Sequence, residues 1–208
     1  MRRWILLLGI MLTLFQTIAA ESITFSGGES SIVLRDGREN VVLSGGASVS
    51  VGTLSISADT ITLLGSGWRF VTCNGGITVT DPERGITIRT SSLWYGREEE
   101  RILISTWYEI DDTENEVSAT GGAAEYLLGS ENLRLDKDVS LLRSTDDGTI
   151  MRCRAESVIF SRSENTVQLR GSATVDWDGD RYEAEVISVN LSDDTISLDG
   201  RIKGTING

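Results

Sequence analysis

Histidine is absent from the 208 residues, proline occurs once, cysteine twice, and aromatic side chains make up only 6% of the chain. Each shortage closes a route. Without imidazole there is no Ser-His nucleophile pair, no base poised near neutral pH and no His ligand for zinc or haem, so catalysis would fall to carboxylates, Lys, Tyr or Cys. No catalytic residue, metal site or cofactor is expected. The two cysteines, Cys73 and Cys153, lie in distant parts of the chain and make no CxxC or zinc-type spacing. A secreted polysaccharide enzyme of solenoid type stays open as a rival, yet it calls for more aromatic rings to stack sugars and for two inward carboxyl groups facing each other.

Positive charge is scarce as well: 19 Lys and Arg stand against 31 Asp and Glu, a net charge of −12. The N-terminus reads "MRRWILLLGIMLTLFQTIAA", two arginines followed by an apolar run and small residues at Ala19 and Ala20. This pattern predicts a Sec-type signal peptide over residues 1–20. Its apolar core falls short of the roughly 20 residues of a membrane span, and retention of Trp4 to Ala20 as an uncleaved anchor is the alternative. Removing Arg2 and Arg3 leaves 17 basic residues against 31 acidic ones, a mature charge of −14. Nucleic acid is therefore not an expected partner, because a polyanion would be repelled and no Lys/Arg cluster is interleaved with aromatics. Export places the chain in an oxidising space, where Cys73 and Cys153 are candidates for a disulfide; two buried thiols are the other reading.

What the chain does have is alternation. From Val41 the apolar residues fall on odd positions, Val41, Leu43, Ala47, Val49 and Val51, then continue at Leu54, Ile56 and Ala58 after a one-step slip at Gly52-Thr53. That is strand, turn, strand. The pattern returns as far as Ile196/Leu198, with no sustained helical period. The breaks "SGG", "NGG", "DDG" and "DGD" are expected to supply the positive-φ residues of tight turns. "DWDGD" does not make a calcium loop, since its twelfth position is Ile187 and not Glu; a type I′ hairpin turn on Asp178-Gly179 is expected instead. "EEER" after Gly96 and "EIDDTENE" from Glu109 are expected as solvated hairpin tips.

The alternation also repeats. Gly45 and Gly75 are 30 residues apart, Gly171 and Gly200 are 29 apart, and two-strand units of this size must stack on one another to bury a shared apolar face. Residues 21–208 are accordingly expected to form a single all-β domain, an elongated antiparallel stack.

Several copies of one motif carry a family resemblance. Gly46-Ala47-Ser48-Val49 goes with Ala58-Asp59-Thr60-Ile61, and Ser172-Ala173-Thr174-Val175 with Ala184-Glu185-Val186-Ile187. Gly76-Ile77-Thr78-Val79 with Ser91-Ser92-Leu93-Trp94 is a looser copy, and Ala155-Glu156-Ser157-Val158 supplies the second half alone. Behind a signal peptide, this series resembles the LptA/OstA family. The resemblance implies a slightly twisted antiparallel β-jellyroll with an apolar interior open at both ends, a periplasmic location, and lipopolysaccharide or a related glycolipid as ligand. It further implies head-to-tail homo-oligomers that join an anchored inner-membrane component to an outer-membrane one. A membrane-anchored LptC-like member of the same bridge is a neighbouring reading, and a structural β-stack polymerising around a packed interior is a third.

Transport of this kind needs a greasy groove and no covalent chemistry. Each methylene exposed to water costs about 0.8 kcal/mol, so an acyl chain of about twelve carbons carries on the order of 10 kcal/mol against crossing unaided. The candidate lipid-binding residues are Ile56, Ile61, Ile77, Val79, Ile86, Ile88, Leu93, Ile102 and Ile104, with the bulkier Phe160, Trp177 and Tyr182 expected to plug or cap the C-terminal interior. The candidate oligomer edges are Ile23, Phe25, Ile32 and Leu34 at one end and Ile196, Leu198, Ile202 and Ile206 at the other, offering unpaired backbone for strand addition.

Overall fold

The computed structural model describes residues 22–34, 39–145 and 148–207, so the expected signal segment lies outside the described residues. The described chain is built from strands: β1 (Ile23–Ser26), β2 (Glu29–Val33), β3 (Asn40–Val51), β4 (Leu54–Leu64), β5 (Phe70–Asp81), β6 (Ile86–Gly96), β7 (Arg101–Ile104) and β8 (Tyr108–Asp112). They continue as β9 (Val117–Gly121), β10 (Ala123–Leu127), β11 (Asn132–Ser144), β12 (Ile150–Ser161), β13 (Thr166–Trp177), β14 (Asp180–Asn190), β15 (Thr195–Asp199) and β16 (Lys203–Thr205). All pairings are antiparallel and join sequence neighbours or near neighbours in one sheet. This is the elongated all-β jellyroll expected, and its connections make it a meander and not a Greek key.

The meander is creased down its length. Each long strand pairs its neighbour in two blocks separated by a register shift: Ser44/Ala47 on β3, Asn74/Ile77 on β5, Asp136/Val139 on β11, Arg154/Ser157 on β12 and Arg170/Ala173 on β13. Such bulges bend a strand and increase its twist. Elsewhere the crease is a break: β1 and β2 are the two halves of one strand along β3, β7 and β8 share β6, β9 and β10 share β11, and β15 and β16 share β14. The crease therefore divides the sheet into two layers. One, here the front layer, contains Asn40–Ser44, Thr60–Leu64, β7 and β10; the other, the back layer, contains Ala47–Val51, Leu54–Ser57, β8 and β9. At strand spacings of about 4.8 Å, twelve strand positions run on the order of 50 Å along the stack.

The glycine pairs make the crease. "SGG" and "NGG" do not turn the chain between strands, as their composition suggests; Gly45-Gly46 and Gly75-Gly76 sit in the middle of β3 and β5, all with positive φ. Two left-handed residues in succession cost L-residues about 1–2 kcal/mol each, and glycine removes that penalty. Lys137-Asp138 and Ser172 adopt the same conformation in β11 and β13. The acidic member of each A-[DE] motif completes the device: Asp59 packs over Gly75, Glu156 over Gly171 and Glu185 over Gly200, in the space a Cβ would need. The repeat motif is thus a crease signature. Asp178-Gly179, both at positive φ between β13 and β14, form the two-residue hairpin turn expected there.

The side chains that alternate inward from both layers merge in one cluster from Val41 to Leu191. At the crease the layers are continuous through the backbone. On the opposite side the hairpin tips of the two layers meet as a mouth, and among the described residues no strand pairing crosses it.

Candidate functional site

All nine candidate groove residues lie in that interior. Ile56, Val79 and Ile88 are successive register partners in the back layer, where Ile77 and Ile86 flank them; Ile61 and Leu93 both pair Cys73 in the front layer, next to Ile102 and Ile104. None is more than 4% exposed, so in this structure they are packed within the apolar cluster. The C-terminal half is filled in the same way by Leu135, Leu141, Val158, Leu169 and Ile187. Packing therefore does not divide the interior into an open N-terminal half and a plugged C-terminal one. Phe160 is buried within the cluster, while Trp177 and Tyr182 pack against it at the β13–β14 hairpin.

The mouth was not legible in the sequence, and it holds a network of buried and half-buried ion pairs. Arg162, on the front-layer tip after β12, reaches across to Asp112 at the end of β8, with Nε 2.6 Å from Oδ2 and side chains only 2% and 1% exposed. The same guanidinium donates to Glu114 at 3.0 Å, to Glu131 at 3.3 Å and to the carbonyl of Arg84 at 2.5 Å. Arg84, on the back-layer tip after β5, pairs with Asp81 at 2.6 Å and crosses to Glu131 at 3.4 Å. Farther along, Arg143 of β11 crosses to Asp194 and to the carbonyl of Leu191, 2.5 Å away. Burial works against the charge on Arg162, but the hydrogen bond and charge of Asp112 outweigh it and hold the pKa above its ordinary value. Expecting "EIDDTENE" at a solvated tip is thus right for Thr113 and Glu114 and wrong for Asp112, which is buried because a cation from the other layer faces it.

Beside this clasp the mouth is less tightly closed. A cavity of about 180 Å³ lies between Val51, Thr53, Leu54 and Arg84 of the back layer and Tyr95, Glu100 and Leu128 of the front layer. One inward row behind the tips, Tyr126 is 2% exposed and its hydroxyl has no hydrogen-bond partner among the described residues. Burial pushes this phenol up to about 12, against the opposing pull of Arg162 and Arg84. A second cavity, about 570 Å³, opens at the crease, where Leu93 and Ile104 of the candidate set line it with Cys73 and Lys137.

Cys73 and Cys153 are both free and buried, which overturns the disulfide candidate. Cys73 sits on β5 and Cys153 on β12, five strand steps apart, about 24 Å at ordinary strand spacing, whereas a disulfide needs Cα atoms within about 7 Å. Burial pushes both thiols up to about 12 from an ordinary 9.0. They are core residues, unreactive at neutral pH.

The edge candidates do reach the two ends of the strand path. Among the described residues β1 and β2 pair only β3, and β15 and β16 pair only β14, so each end presents a backbone row with no described partner. Phe25, Ile32, Leu34, Ile202 and Ile206 are exposed there, while Ile23, Ile196 and Leu198 pack partly against the core. Among the described residues no group of acidic or cysteine side chains could hold a metal ion.

Fold and site together define a creased antiparallel jellyroll with an apolar interior, one side-chain-closed mouth and two open sheet edges. No known protein-family model matches the chain, and no curated protein sequence does. Among solved structures it is similar to LptH of Pseudomonas aeruginosa, described as the LptA-homologous periplasmic component of the conserved lipopolysaccharide transport device. The two chains are 12% identical, the match covers 90% of this chain and 96% of that one, and the TM-score is 0.31.

Proposed function

We propose that the chain is a periplasmic carrier of acylated glycolipid, lipopolysaccharide or a relative, which shelters acyl chains between its two layers and passes them along a head-to-tail row of copies. One observation carries this reading: two apolar sheet faces are joined along a crease and, among the described residues, held together on the opposite side by side chains alone. Such layers can part without breaking a strand pairing. An acyl chain inserted between them replaces apolar contacts with apolar contacts, so burial is conserved and the cost falls on the polar mouth. The two open edges support assembly with further copies and with the anchored and outer-membrane components of a bridge. Binding and sheltering require no bond chemistry, so the chain acts as a carrier and not as an enzyme.

Photo-crosslinking side chains placed at Ile77, Ile88 and Ile104, with outward controls at Thr78 and Arg89, test the groove in cells. Lipid adducts at the first three positions alone are expected. Equal labelling of both sets, or none, would count against it. The filled interior also fits a β-stack that polymerises without cargo, and an absence of adducts would leave that reading in its place. An intact N-terminus in purified membranes would point to the anchored partner of the bridge.

A further inference from the structure

The carrier reading leaves open how a chain reaches an interior that is closed in this structure. At the crease the long strands run from one layer into the other and, where β7–β8 and β9–β10 interrupt them, the covalent chain still links the layers, so the layers cannot part on that side; at the mouth, among the described residues, side chains alone join them. Three features coincide at the mouth near β6, β7 and β10. The clasp of Arg84, Asp112, Glu131 and Arg162 spans it, the 180 Å³ cavity indents it, and the orphan hydroxyl of Tyr126 sits behind it. A buried hydroxyl without a partner forfeits a hydrogen bond, which any acceptor delivered to it would recover.

Charge decides what the acceptor is. With Asp81 and Glu114, the clasp holds four carboxylates against two guanidiniums, so a phosphate or carboxylate moving inward would meet a net negative mouth. An uncharged acceptor meets no such barrier. The carbonyl of an acyl ester or amide is an acceptor of this kind, and it stands at the head of the hydrocarbon chain that the apolar interior would take up.

We propose that this mouth is the lateral port for acyl chains, that the Arg84–Glu131 and Arg162–Asp112 pairs are its gate, and that the Tyr126 hydroxyl donates to the carbonyl of the chain that has passed. The inference rests on the carrier reading and deepens it. Anionic headgroups stay outside, and the chain enters sideways through parted tips.

The test joins the tips covalently. In an Arg84→Cys/Glu131→Cys variant, a short thiol-reactive linker with a cleavable centre ties the layers together, while Cys73 and Cys153 stay buried and unmodified. The probe is the fluorescent methyl ester of cis-parinaric acid, an uncharged 18-carbon acyl ester. Uptake is expected to slow at least tenfold in the linked protein and to recover on cleavage, and the free acid is expected to bind more weakly than the ester. Tyr126→Phe is expected to weaken ester binding about three- to tenfold with no loss of stability, since the hydroxyl it removes has no partner among the described residues. Uptake by the linked protein as fast as by the unlinked one would overturn the gate while leaving the carrier reading intact. Unchanged ester affinity in Tyr126→Phe would overturn the carbonyl contact. No uptake by the unlinked protein would sink the carrier reading itself.

Discussion

At the scale of single residues, the side chains that matter most for closing the molecule are charged and buried, a combination that is costly unless paired. Arg162 and Asp112 are each almost fully shielded from water, and each is the other's principal counter-charge. Asp112 also accepts from the backbone amides of Glu114 and Asn115, both at 3.1 Å. Removing one partner strands the other: Arg162→Ala is expected to lower stability by about 3–5 kcal/mol. Arg162→Met/Asp112→Asn, which leaves no buried charge behind and keeps an acceptor for the turn, is expected to lose distinctly less. Urea unfolding of both variants beside the parent decides it; a double variant as unstable as the single one would mean that packing, and not charge, holds these tips. The period of two already separates Asp112, in phase with the inward Tyr108 and Ile110, from Asp111, which is paired with Arg89 on the outer face; what the sequence does not give is the cation that faces Asp112.

At the scale of the strand, alternation carried most of the fold. Strand positions, the inward set and the hairpin on Asp178-Gly179 follow from a period of two and from turn chemistry, both of which act over a few residues. The crease did not follow, because a glycine pair between apolar runs has the same composition whether it turns the chain back or only bends it. What separates the cases is the register across the sheet: Leu43 pairs Ile61 and Ala47 pairs Ala58 on the same two strands, so the chain goes on past Gly45-Gly46. The mouth was invisible for a related reason, since it joins hairpins up to 78 residues apart. The crease makes its own prediction. At Gly46 (φ +83) a Cβ meets nothing within 4 Å, whereas at Gly75 (φ +74) it would collide with the Asp59 carboxylate. Gly46→Ala should cost about 1–2 kcal/mol, the left-handed penalty alone, and Gly75→Ala clearly more, because the carboxylate must also be displaced. Equal losses in the two unfolding curves would remove Asp59 from the crease.

At the scale of the whole molecule, the two ends of the stack differ, and that difference sets how copies can associate. The N-terminal edge exposes Phe25, Ile32 and Leu34, the C-terminal edge Ile202 and Ile206, and neither is covered by a helix or loop among the described residues. An exposed apolar edge invites strand addition, and joining unlike edges does not close on itself, so growth is open-ended unless an end is blocked. With a net charge of −12, longer rows would also repel themselves, and salt should lengthen them. Blocking one edge at a time separates the possible geometries. Phe25→Lys/Ile32→Lys and Ile202→Lys/Ile206→Lys should each sediment as monomers, with unchanged unfolding curves, because the substituted side chains are exposed and lie outside the buried cluster. Mixed in equal amounts, the two variants should form one-to-one dimers and nothing larger, since each supplies the edge the other lacks. If instead one variant dimerises alone, like edges pair and the row is not head-to-tail; if the mixture stays monomeric, these edges are not the contact that joins one copy to the next.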